Sequence, residues 1–145
     1  MGDVLTRVVA WKNLLINGAD YCALWRTAEG WLLRGTVVGV LKDQRPVLAN
    51  YEISCDEHWF THRVEVNRIA GNETKALSLS VESRGVWRAS GKELPGLRGC
   101  HDVDLAVTPA TNTLPSTAYC GAFGSGVAAR VVISPLFEGT GRPPV

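Results

Sequence analysis

Three groups of side chains in this 145-residue chain have the types and spacing to do chemistry. The first is the acid pair Asp102 and Asp104, within Gly-Cys-His-Asp-Val-Asp-Leu at 99–105. Two positions apart on a strand, these residues share one face, with Cα atoms about 6.5–7 Å apart. Paired acids can split their pKa values and divide acid–base work between them, as in glycoside hydrolysis. They can also hydrogen-bond the polar head of a ligand, or accept backbone N–H groups in the turns that Thr108-Pro109 and Asn112 signal. The second group is Cys-Asp-Glu-His-Trp-Phe-Thr-His at 55–62. His58 or His62 beside acids has the makings of a general base. Their spacing of four suits joint metal ligation on a helix. On a strand, however, residues four apart stand about 13 Å from one another and cannot share an ion. The flanking alternation reads as strand, so Asp56 is expected as a turn acid and Trp59 as the aromatic anchor opening that strand. The third group is the five tryptophans, Trp11, Trp25, Trp31, Trp59 and Trp87. They fill a core, or they wall a partly apolar cavity that takes acyl chains or stacks on sugar rings.

The bulk properties narrow the choice. Fifteen basic residues against fourteen acidic ones leave a net charge of +1, which lacks the basic footprint of a nucleic-acid binder. No stretch approaches the roughly 18 consecutive apolar residues of a membrane-spanning helix. The opening Met-Gly-Asp-Val-Leu-Thr-Arg carries an acid where a secretory leader carries bases. Gly2 with Thr6, and Asn72-Glu-Thr74, match acylation and glycosylation patterns too short to bear weight. Cys22, Cys55, Cys100 and Cys120 form neither a zinc knuckle nor a redox pair, and read as reduced thiols of a cytoplasmic protein. Nucleophile elbow, P-loop, HExxH and dinucleotide fingerprints are all missing, so no metal and no cofactor is expected.

The elements that must position these residues are strands. Residues 31–41, 46–54, 59–69 and 74–82 are rich in β-branched and aromatic types. In the third, Val64 and Val66 alternate with Arg63, Glu65 and Asn67. In the fourth, Leu77, Leu79 and Val81 alternate with Ser78, Ser80 and Glu82. This period of two marks half-buried strands with one wet face. Short polar connectors at 42–46, 70–73, 83–85 and 90–92 suit antiparallel hairpins. Glycines 35 and 39 suit a strand that another chain segment approaches closely. Residues 6–15 do not choose between helix and strand. The sum is an all-β, mainly antiparallel meander, closed into a barrel or roll or packed as a sandwich. It forms one domain over residues 1–145, with a small-residue, Gly-rich stretch at 116–126, one strand within 127–133 and a frayed end at 139–145.

Gly-Cys-His-Asp-Val-Asp-Leu at 99–105, Thr108-Pro109 and Thr-Asn-Thr-Leu-Pro at 111–115 together resemble the signature of the bacterial putative glycolipid-binding family. Supporting stretches occur in the same order: Tyr-Cys-Ala-Leu-Trp at 21–25, residues 30–39, Tyr51-Glu-Ile, Asp56, Trp59, Thr61, Arg63, Gly85-Val-Trp87, Gly91 and Leu97. The resemblance spans about residues 9–115; beyond it the chain departs from the family pattern, as a diverged or truncated C-terminal part would. It implies a spiral β-roll around an apolar interior, and a non-enzymatic protein that holds a lipid or glycolipid there. Trp59, Arg63, Trp87, Asp102, Asp104, Thr108 and Asn112 are the ligand-binding residues expected from their place in these motifs and their chemistry: Arg and Asp bond a head group, and Trp packs against chain or sugar. The alternatives are a hydrolase built on Asp102 and Asp104, and a β-roll used for protein contacts.

Overall fold

Alternating side chains and short polar turns produce a meander. The computed structural model describes residues 2–14, 16–82, 85–100, 102–105, 108–110 and 130–133. Eight strands follow one another in space as in sequence: β1 (Val4–Asn13), β2 (Gly18–Arg26), β3 (Trp31–Val40), β4 (Pro46–Cys55), β5 (Thr61–Ala70), β6 (Glu73–Glu82), β7 (Val86–Ala89) and β8 (Lys92–Glu93). Every neighbouring pair is antiparallel. A 3₁₀ turn, Pro95–Leu97, leads on to β9 (Asp102–Leu105), which pairs with β10 (Arg130–Ile133) in a separate, parallel two-stranded sheet. The fold is all-β, a partly open β-roll. The undecided segment at 6–15 lies largely in strand β1, and the strand expected within 127–133 is β10. Among the described residues, the β9–β10 pair is the one departure from antiparallel order.

Period two sorts the side chains of the large sheet into two faces. Cys22, Leu33, Val37, Val47, Ala49, Tyr51, Ile53, Val64, Val66, Ala70 and Leu79 point inward and join one buried cluster. Val103 and Leu105 of β9, with Ala110 beyond it, are fully buried in the same cluster and so cover this inner face. The outer face carries cross-strand polar pairs: Arg34 Nε to Glu52 at 2.9 Å, Thr36 Oγ1 to Asn50 at 2.7 Å and Ser78 Oγ to Glu65 at 2.7 Å. Such exposed pairs fix register more than they stabilise. Strand β1 forms one margin of the sheet and contains no buried residue.

Register then stacks the inward residues into rows across the strands. One row runs Trp11, Asp20, Val37, Ala49, Arg68 and Lys75 from β1 to β6. The next runs Val9, Cys22, Gly35, Tyr51, Val66 and Leu77. Another runs Leu24, Leu33, Ile53, Val64, Leu79 and Ala89, apolar throughout. The connections β1–β2, β3–β4 and β5–β6 lie beyond the Asp20–Arg68 row. The connections β2–β3 and β4–β5 lie at the opposite end.

Candidate functional site

At the β2–β3 and β4–β5 end, two loops are pressed together. Thr27 Oγ1 accepts hydrogen bonds from the N–H groups of Gly30, at 3.1 Å, and Glu29, at 3.3 Å, which closes the first loop. Gly30 has φ +146, and a Cβ there would lie 2.2 Å from the carbonyl oxygen of Cys55. Only glycine permits that approach. In the second loop Asp56 is the turn acid: its Oδ1 accepts the N–H groups of His58, at 2.8 Å, and Phe60, at 3.0 Å. The Asp56 N–H donates to Phe60 O at 3.0 Å and the Trp59 N–H to Asp56 O at 3.1 Å. This is a three-residue hairpin loop whose last position requires a left-handed backbone and ordinarily holds glycine. Here Trp59 occupies it, with φ 69, and β5 begins only at Thr61.

The left-handed turn aims the Trp59 indole at Trp31. The two rings stack with centroids 4.6 Å apart and an interplanar angle of 13°. The Arg26 guanidinium lies over the Trp31 ring, 4.8 Å from its centroid. Both indoles are half-buried, and exposed Phe60 follows Trp59 in sequence. A bulky residue held at positive φ costs about 1–2 kcal/mol, and such strain gathers at functional sites. His62 Nε2 is 3.7 Å from Asp56 Oδ2, and His58 Nε2 is 3.7 Å from Glu57 Oε1. Among the described residues no group of three or more His, Cys, Asp or Glu is placed to hold a metal ion.

The other expected site residues are dispersed. Arg63 is on the outer face, donating from Nε to Glu65 at 2.6 Å. Trp87 is wholly buried, and its Nε1 donates to the carbonyl of Cys100 at 2.9 Å, tying β7 to the segment before β9. Asp102 and Asp104 occupy alternate positions of β9, opposite Arg130 and Val132 of β10, and the structure describes their backbone. Asn112 lies outside the described residues.

Thr108 is buried and belongs to a polar network inside the roll. The Tyr51 hydroxyl is 3.4 Å from Asp20 Oδ1, to which it donates, and 3.3 Å from Thr108 Oγ1. Thr108 Oγ1 also accepts the Ala110 N–H at 3.1 Å. Tyr51 reaches Asp20 because it crosses Gly35: a Cβ on that glycine would stand 2.2 Å from the phenol ring. Burial raises the Asp20 carboxyl above its ordinary range, and the Thr108 and Tyr51 hydroxyls partly offset this. Burial likewise raises the Tyr51 phenol and the Cys22 thiol. Asp20 Oδ2 and, further along the same row, Arg68 Nε are buried without a hydrogen-bond partner.

Asp20, Tyr51, Trp31, Arg26 and Arg68 were not among the expected site residues. For two of them the signal was one of phase. Asp20 falls in phase with Cys22 and Leu24, and Arg68 in phase with Val64 and Val66, so each places a charge on an apolar face. Trp31 stood among the five tryptophans of a possible cavity wall, but its contacts with Arg26 and Trp59 depend on how two loops meet.

Fold and sequence place the chain in a class of β-roll proteins. It belongs to the putative glycolipid-binding family, whose family model matches residues 8–132, past Pro115 where the resemblance read from motifs ended. The fold is similar to the crystal structure, at 1.80 Å resolution, of a DUF1089 family protein from Pseudomonas aeruginosa. That likeness has a TM-score of 0.58 at 24% identity, over 77% of this chain and 61% of the other. This chain therefore spans about three-fifths of the solved relative. Among curated proteins nothing matches. No helix of the described residues is long and apolar enough to cross a membrane.

Proposed function

We propose that this protein binds a lipid or glycolipid and does not act as an enzyme on it. The observation that carries this reading is the Trp31–Trp59 stack, with Trp59 held in a left-handed turn position where glycine would be relaxed. A flat, half-exposed pair of indoles beside a guanidinium is suited to stacking on a sugar ring or to packing against a methylene chain. Of the expected ligand residues, Trp59 acts directly in this reading. Thr108 supports it through the Tyr51 network, and Asp102 and Asp104 supply acceptors to hydroxyls of a sugar. The family's description supports the ligand class. The single buried cluster supports one domain. The buried Cys22 thiol, outside any disulfide, supports a reducing compartment, the bacterial cytoplasm. The near-neutral charge supports a ligand other than nucleic acid.

The test is native mass spectrometry of gently purified protein, followed by organic extraction and lipid analysis. A stoichiometric lipid adduct is expected, and it would name the class. An apo mass that takes up nothing from a total bacterial lipid extract overturns the reading.

A further inference from the structure

The lipid-binding reading leaves open what the ligand's head must carry, and one inner-face residue bears on that. Arg68 of β5 is 4% exposed, between Val66 and Ala70 on the apolar face. Its Nη2 donates to Glu73 Oε2 at 3.3 Å, and its Nε is buried with no hydrogen-bond partner among the described residues. Nε and Nη2 form the side-on edge of a guanidinium, the edge that carboxylates and phosphates take with two parallel bonds. Glu73 occupies half of it, at long range. The Glu73 side chain is itself 59% exposed and lies 3.7 Å from Arg45 Nη1, so its charge is shared and solvated. A buried cation with so little compensation is costly unless something else completes it.

The inner-face neighbours of Arg68 are small. The cross-strand neighbour of Arg68 on β4 is Ala49, and the next inward residue along β5 is Ala70. Lys75, opposite Arg68 on β6, is exposed and adds positive potential at this end of the roll. The acid in the same row, Asp20, is three strands away, about 14 Å along the sheet, and is turned to Tyr51 instead.

We propose that Arg68 anchors the anionic head, a carboxylate or a phosphate, of an amphiphile whose chain lies on the inner face. The proposal rests on the lipid-binding reading and names the head-group chemistry. The incoming oxyanion takes the Nε–Nη2 edge bidentately and displaces Glu73 toward Arg45 and water. Glu73 is the placeholder in the empty protein.

Binding of dodecanoate, dodecyl phosphate and uncharged dodecanol to the full chain, by isothermal titration, tests this. The native protein is expected to bind at least one anionic probe about tenfold more tightly than dodecanol, the scale of one charge-assisted bidentate contact. Whichever anion binds better distinguishes the carboxylate from the phosphate source. Arg68→Gln should erase the preference for an anion over dodecanol. Arg68→Lys, which keeps the charge but loses the fork, should erase most of it. Glu73→Gln should tighten anion binding, a gain that a purely structural Arg68 would not produce, and this variant keeps the proposal testable if the arginine variants do not fold. Equal affinity for all three probes in the native protein overturns the anchor and leaves the lipid-binding reading standing. So does an anion preference that Glu73→Gln leaves unchanged. Failure to bind any of the three overturns both.

Discussion

The two ends of the inner face are built on opposite plans. At the β2–β3 and β4–β5 end, a half-exposed indole pair is positioned by two hairpin loops, each closed by its own side-chain hydrogen bonds. At the other end, Asp20 and Arg68 are buried in a single row, positioned only by the register of four successive strands. The first end stores strain in one backbone torsion. The second stores it in polar atoms without partners. Local strain can be relieved by one substitution without disturbing the sheet. A buried, incompletely bonded charge cannot, because its environment is made by residues from several strands.

The sharpest way to break the comparison is at the buried end, with Gly35→Ala. The new Cβ would meet the Tyr51 ring at 2.2 Å and the backbone oxygen of Tyr21 at 2.6 Å. Neither can yield within a packed sheet, and a loss of about 3 kcal/mol in urea unfolding is expected, at the upper end of ordinary overpacking. Tyr51→Phe keeps the ring and removes only the hydroxyl shared by Asp20 and Thr108. It should cost about 2 kcal/mol, the scale of leaving buried polar groups unsatisfied.

Asp20→Asn probes the charge itself. Burial raises the folded-state pKa of Asp20 above the ordinary aspartate value of 3.8. The folded protein therefore holds this proton more tightly than the unfolded chain does. Its contribution to stability is fully present below the unfolded pKa and is lost as pH rises through the folded one. The native protein should show that decline in denaturation midpoints measured from pH 3 upward, roughly across the carboxylate range. The asparagine variant should lack this component. An unchanged slope would mean that Asp20 does not control it.

The smallest stability effect is expected at the exposed end. Trp59→Gly relaxes the left-handed turn, worth about 1–2 kcal/mol, and loses the indole stack, worth about 0.5–1.5 kcal/mol beyond area burial. The two offset each other while the half-buried indole area is also lost, so the melting temperature should fall modestly and uptake from a bacterial lipid extract should fall sharply. A large loss of stability with unchanged uptake would make Trp59 a packing residue and erase the contrast between the two ends.

Legibility in the sequence followed the same division. The strands at 31–41, 46–54 and 74–82 were readable nearly to their ends, because alternation and turn chemistry are local properties. Asp56 was readable as a turn acid for the same reason. The strand expected to open at Trp59 opens at Thr61 instead, since a tryptophan in a glycine position has no propensity signature. Residues 6–15 were ambiguous because β1 is an exposed margin with no buried face to impose a period. Among the candidate ligand residues, Trp59 and Thr108 lie in the two features that stand out, the indole stack and the buried network. Arg63 and Trp87 share motifs with them but occupy the outer face and the core.

By itself the sequence determined an all-β meander, its family and the phase of the strands at 59–69 and 74–82. Those follow from period two and from residues within a few positions of one another. Only the tertiary structure decided that Tyr51 crosses Gly35 to Asp20, that Trp59 meets Trp31, and that Arg68 is buried with its side-on edge half empty. Each of these depends on register between strands or on the approach of two loops. Those contacts join residues far apart in the chain, and no local pattern records them.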